Sequence, residues 1–117
     1  MKTNELIGAQ LDWAVATSAK LTIIQIKGGF PYVPKYPTIG GQRFSPSTDW
    51  SQGGPIIERE KVSIDWSEGN NWCASVEDSR RPQSADTPLI AAMRCYVASK
   101  LGDEVDVPEA LGKTPTK

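Results

Sequence analysis

The chain predicts a small α+β domain, with a mostly antiparallel sheet packed against an N-terminal and a C-terminal helix. Three observations predict it: helical periodicity near both ends, an alternating hairpin pattern in the second half, and a long Pro/Gly-rich loop in the middle. At 117 residues the chain has the length of one domain, spanning 1–117. Folding at this size buries roughly two-thirds of the surface that the open chain exposes, enough for one modest core. The hydrophobic share is 38%, with 10 Gly and 9 Pro, so a surface cleft or a subunit interface is a better home for a site than a large internal cavity.

The first helix is expected from about 4–7 to Ser18. Ile7, Leu11, Ala14, Val15 and Ser18 share one face, and Gly8 weakens the first turn enough to make it separable. Residues 21–27, "LTIIQIK", are β-branched and followed by Gly-Gly, and their apolar groups on both faces predict a central strand. In residues 28–47, prolines 31, 34, 37 and 46 forbid helix and interrupt a sheet ladder. The expectation there is a loop, either a surface meander pinned by Phe30, Tyr32, Tyr36 and Phe44 or a ligand-facing lid. Pro55 suits the first turn of a short helix, "PIIEREK".

Val62, Ile64 and Trp66 then alternate with Ser63 and Asp65, and Trp72, Ala74 and Val76 with Cys73 and Ser75. "SEGNN" between them supplies a turn, giving a hairpin. Residues 77–86 are polar and expected at the surface. In "DTPLIAAMRCYVASKLG", Asp86 or Thr87 can cap a helix, Pro88 takes its first position and Gly102 ends it. Its small apolar residues imply a helix either buried or packed against another copy. Val105, Val107 and Leu111 should dock the following segment, with 112–117 fraying.

Composition excludes several classes. A net charge of −1 lacks the basic excess of a dedicated nucleic-acid binder, so no stable nucleic-acid binding is expected. No apolar run approaches the roughly 20 residues of a membrane span, and residues 1–13 lack a signal peptide's apolar core, so cytoplasmic residence is expected. Cys73 and Cys95 then read as reduced thiols. Without histidine they cannot complete the usual tetrahedral zinc site, and neither metal nor cofactor is expected.

Histidine, the commonest general base, is absent. The carboxylates Asp49, Glu58, Glu60 and Asp65 follow no catalytic spacing, and the paired glycines lack the Lys and Ser/Thr of a phosphate loop. The expectation is a protein that is not an enzyme. Binding asks for less. In "STDWSQGGPIIERE", residues 47–60, Thr48, Asp49 and Trp50 could approach a ligand, with Trp50 stacking on a ring. Gly53 and Gly54 could give it room, the helix start could offer N–H groups, and Arg59, Arg43, Arg80 or Arg81 could meet a phosphate. Thr87 and Pro88 could lie nearby.

Three blocks, "ELIGAQLDWAVA", "FSPSTDWSQGGPIIERE" and "TPLIAAMRCYVASKLGDEVDVP", together resemble the NinX-like family, small proteins of tailed phages and prophages of enterobacteria. They cover roughly half of the chain; segments 20–43 and 77–85 carry no family pattern. The resemblance brings no catalytic residues to carry over. It implies a phage-encoded accessory protein acting in the cytoplasm of the infected bacterium. Such proteins often bind a host protein or sequester a signal molecule. The expected partners are therefore a small nucleotide-like ligand, such as an immune signal, or a host protein. Four tryptophans and a small-residue helix make a homodimer the default expectation.

Overall fold

In a computed structural model of the full chain, the described residues are 1–35, 38–67, 69–77 and 81–111. Tyr36, Pro37, Arg80 and the tail 112–117, all named above, lie outside them. The chain runs through helix α1 (Gly8–Ser18), strands β1 (Gln25–Lys27), β2 (Phe30–Lys35) and β3 (Thr38–Arg43), and helix α2 (Trp50–Glu60). Strands β4 (Val62–Ser67), β5 (Asn71–Val76) and β6 (Gln83–Ala85) and helix α3 (Pro88–Leu101) complete it, with short 3-10 turns at Thr3–Glu5 and Glu109–Leu111. The α+β class holds, with two antiparallel three-stranded sheets, β1-β2-β3 and β4-β5-β6.

Helix α3 is the centre of the domain, touching α1, α2 and all three strands of the second sheet. Its small residues Ala91, Ala92, Cys95 and Ala98 are buried, as are Leu89, Met93 and Val97. Small side chains let neighbours approach α3 from every side, so the small-residue face is spent inside the molecule. Each end has the chemistry expected. Thr87 accepts a hydrogen bond from Ile90 N–H at 3.1 Å, Pro88 opens the helix, and Gly102 closes it at φ +87°. Arg94 reaches out from α3 to donate to the Leu6 carbonyl at 2.8 Å and the Ser84 carbonyl at 2.9 Å. Desolvation holds its pKa below the ordinary arginine value. Beyond α3 the chain runs antiparallel to residues 1–3, with Thr3 N–H on the Asp103 carbonyl and Val105 N–H on the Met1 carbonyl, both 2.8 Å. Val105 and Leu111 dock as expected, both buried.

The β4–β5 hairpin forms in the expected frame. Every residue from Val62 to Ser67 has a partner, and Trp66 faces Trp72 edge to face with ring centroids 5.2 Å apart. The polar stretch after it supplies one element that its composition hides, β6, which pairs with β5 through Trp72↔Ala85.

Two expectations need correction. Residues 21–27 do not form a central strand. The α1 terminus takes their first residues: Lys20 adopts φ +60° and Leu21 N–H bonds back to the Ala16 carbonyl, so pairing starts only at Ile24. What remains is the three-residue edge strand β1, with Leu21 and Ile24 exposed. Nor are residues 28–47 a loop throughout, since most of them build β2 and β3. Prolines are tolerated because each loses only a donor. Pro31 still pairs with Ile26 and its carbonyl accepts from Phe44 N–H at 2.9 Å, while Pro34 falls where the β2–β3 register shifts.

Candidate functional site

Helix α2 begins five residues before Pro55, which therefore lies inside it rather than at its start. Asp49 caps the helix, its Oδ1 accepting from Ser51 N–H at 2.9 Å and from the Ser51 hydroxyl at 2.6 Å. The N–H groups of Gln52 and Gly53 bond back to the Asp49 carbonyl. The donors that the sequence reading offered to an anion at Gly53–Gly54 are thus internal to the helix.

Gly53 does not make room for a ligand, because protein already fills the space. A Cβ there would lie 2.5 Å from the Pro46 carbonyl oxygen and 2.6 Å from Leu89 Cδ1. Its role is to bring α2 against the 45–47 turn and α3. Gly54 faces open space. Thr87 works as the α3 cap. Thr48 lies on the exposed turn before α2, its backbone N–H bonded to the Ser45 carbonyl at 3.1 Å.

A cleft of about 320 Å³ opens on another side of α2, between that helix, the end of α1 and the β2–β3 hairpin. Gln52, Pro55, Ile56 and Arg59 line its α2 wall. These are positions i, i+3, i+4 and i+7, one helical face. Ala19 and Leu21 form the α1 side, and Val33, Gln42 and Phe44 the hairpin side. At 3.6 residues per turn, Trp50 projects roughly 160–200° around α2 from Gln52 and Arg59. The residues singled out in 47–60 therefore separate: Arg59 lines the cleft, while Trp50, 55% exposed, stands on the far side of the helix.

Two polar side chains hold the cleft's shape. Gln52 Oε1 accepts from Ser45 N–H at 2.6 Å and its Nε2 donates to the Arg43 carbonyl at 3.2 Å, tying α2 to the end of β3. Asp12, buried in α1, accepts from Ser47 N–H at 2.8 Å and fixes the turn between them. Burial pushes the Asp12 carboxyl up to about 6, against the opposing pull of the Ser47 hydrogen bonds and the Arg43 charge. Gly41, at φ +78°, lies beside the lining residue Gln42 and lets β3 approach β2 closely. A side chain there would collide with Ile24 and the Val33 carbonyl.

Among the described residues of the lining, Arg59 is the charged one. Its Nε donates to Glu60 at 2.8 Å, its Nη2 reaches the Tyr96 hydroxyl at 3.5 Å, and Lys100 lies 3.8 Å from the other Glu60 oxygen. The Glu60 hydrogen bond raises the Arg59 pKa further, so the cation persists. Arg43 stacks over Phe30 at 3.4 Å, and Arg81 pairs with Asp103 at 3.1 Å. Cys73 and Cys95 are free thiols, and burial pushes Cys95 up to about 11, far from a reactive thiolate.

The chain matches the model of the family described as "Bacteriophage P22, NinX" over residues 2–100. It belongs to that family. The match takes in every strand, α1, α2 and nearly all of α3, and therefore the whole cleft. A comparison with curated proteins finds no match. No helix among the described residues is long and apolar enough to cross a membrane.

Sequence reasoning found one cleft residue, Arg59, and missed Leu21, Val33, Gln42, Phe44 and Gln52. Four of these come from segments read as strand or loop, and the cleft exists only once the hairpin folds beside α2. The legible signal was the spacing Gln52, Pro55, Ile56, Arg59, a helical face visible had α2 been started at Trp50.

Proposed function

We propose that this NinX-family protein is a non-enzymatic phage accessory protein that binds a small nucleotide-like ligand in the α1–α2–hairpin cleft, sequestering a host immune signal. The observation that carries the reading is a cleft whose described lining is largely apolar, with the cation Arg59 in its wall. Ligand sites run to about 300–1,000 Å³, mostly apolar with a few orienting polar groups, and this cleft matches in size and character. Leu21, Phe44 and Pro55 offer surfaces to a flat ring, Gln42 a polar edge, and Arg59 a partner for phosphate. The test is a thermal-shift screen against nucleotides, cyclic dinucleotides and ADP-ribose derivatives, since ligand at a hundredfold excess over Kd adds about 2.7 kcal/mol of apparent stability. One ligand class should raise Tm in the wild type and lose most of its effect in Arg59→Gln. Ligand recovered chemically altered would show an enzyme instead.

A second reading, an interaction module for a host protein, is favoured by the lip of the same cleft. Leu21, which lines the cleft, and Ile24, three positions on, are 42% and 43% exposed. A stable complex from host lysate that Leu21→Asp abolishes, with no response in the ligand screen, would support it over the first.

A further inference from the structure

Each sheet ends in two edge strands, and three of the four are short, irregular or occupied. Strands β1 and β6 have three residues each, and Arg94 binds the Ser84 carbonyl on β6. Strand β3 contains Gly40 and Gly41 and shifts register against β2. Strand β4 differs. Its six residues, "VSIDWS", hold no Pro, Gly or Lys, and they pair with β5 without a bulge. Soluble proteins normally blunt such an edge with short length, lysine, proline or a bulge, because a long regular edge offers a ready row of backbone donors and acceptors. At its end Trp66 is 56% exposed, although it lies on the α3-facing side with Val62 and Ile64.

We propose that β4 is a homodimer interface, pairing antiparallel with β4 of a second copy across a two-fold axis through Ile64 and joining the two sheets into one of six strands. The strand's own sequence selects this occupant and register. A two-fold normal to the sheet keeps each face on its own side, so facing residues must be an even number of positions apart. Two frames use five of the six residues. Centring on Asp65 sets two carboxylates against each other, a like-charge pair that destabilises. Centring on Ile64 sets Ile64 against its copy, Asp65 against Ser63 of the second copy, and Trp66 across from Val62 of the second copy. That frame covers the exposed indole and leaves no charge opposed. The small-residue helix suggested by sequence as a dimer contact is already buried and offers no contact to a second copy. The inference does not rest on the cleft being a ligand site.

Sedimentation across a concentration series tests it, with two substitutions at the exposed Ser63. Ser63→Asp places the introduced carboxylate opposite Asp65 of the other copy, twice per dimer, and should weaken association at least tenfold. Ser63→Lys places opposite charges together and should hold or tighten it. A far-UV circular dichroism spectrum like that of the wild type would confirm that both variants fold, since dissociation by itself lowers Tm. A wild type that stays monomeric at every concentration overturns the proposal, as does a dimer indifferent to Ser63→Asp. Dissociation by Ser63→Lys as well would overturn the register.

Discussion

Residues 62–76 and residues 30–43 each fold into an antiparallel hairpin, but the two are held in different ways. The first is regular, six consecutive pairs whose apolar row lies against α3, with Val62 and Ala74 buried and Trp66 against Trp72 at the far end. The second carries two prolines and a register shift, and it leans on α1 through β2. It is held at its end from outside its own ladder, where Gln52 grips the Arg43 carbonyl and Asp12 grips the turn at Ser47, while Arg43 stacks on Phe30 across the two strands. One hairpin is stabilised by a continuous face, the other by ties at its end. The difference teaches why the cleft lies beside the second, since a wall held at its margins can leave space along its middle.

The largest expected effect severs the two regions. Gly53→Val drives a branched side chain into the Pro46 carbonyl and Leu89, separating α2 from α3, and should cost about 3 kcal/mol, the upper range for overpacking. Chemical denaturation measures this directly; a loss below about 1 kcal/mol would mean that α2 can shift without consequence.

Next in size is the Asp12 tie. Its carboxyl rises from 3.8 to about 6 on folding, so the folded state binds the proton more tightly. The associated stability is full below about pH 4 and is lost as pH rises through 6, about 3 kcal/mol for two units. Asp12→Asn keeps an acceptor for Ser47 and removes the charge. Its stability relative to wild type should therefore climb between pH 4 and pH 7, and a flat difference across that range would contradict the assignment.

Hydrogen exchange sharpens the contrast itself. Amides of β4–β5 should exchange near the global unfolding limit, whereas those of β2–β3 open earlier through local release, because fewer buried apolar contacts hold them. Equal protection would erase the distinction. The smallest effect expected is that of Gly54→Ala, under about 1 kcal/mol. A Cβ there meets open space beyond its chain neighbours, so a gain in helix propensity is opposed only by the general disfavour of helical backbone for a residue that precedes proline.

The sequence made α3 and the β4–β5 hairpin readable because their instructions are local. Thr87, Pro88 and Gly102 mark a helix's limits, and alternation from Val62 to Trp66 marks a strand. The β2–β3 hairpin was hidden because Pro31 and Pro34 argue against strand at short range, while the partners that overrule them, Ile26 and Phe44, are five and thirteen positions from Pro31. Pro55 likewise looked like a helix start, and Asp49, whose carboxylate fits the orphan donors of Ser51, proved to be the cap. The cleft was the least legible part. Arg59 stood out as a charge, but nothing along the chain places Leu21 or Val33 beside it.

The central position of α3 also has a consequence for synthesis. Three units of the domain, the first helix, the second helix and the β4–β6 sheet, close upon a segment that ends only at Leu101. At about 5–20 residues per second, α1, α2 and the second sheet are all made before the helix on which they pack. Consolidation of these three units therefore waits for α3, and the emerging segments have to stay dispersed meanwhile. The chain's modest apolar content suits that interval.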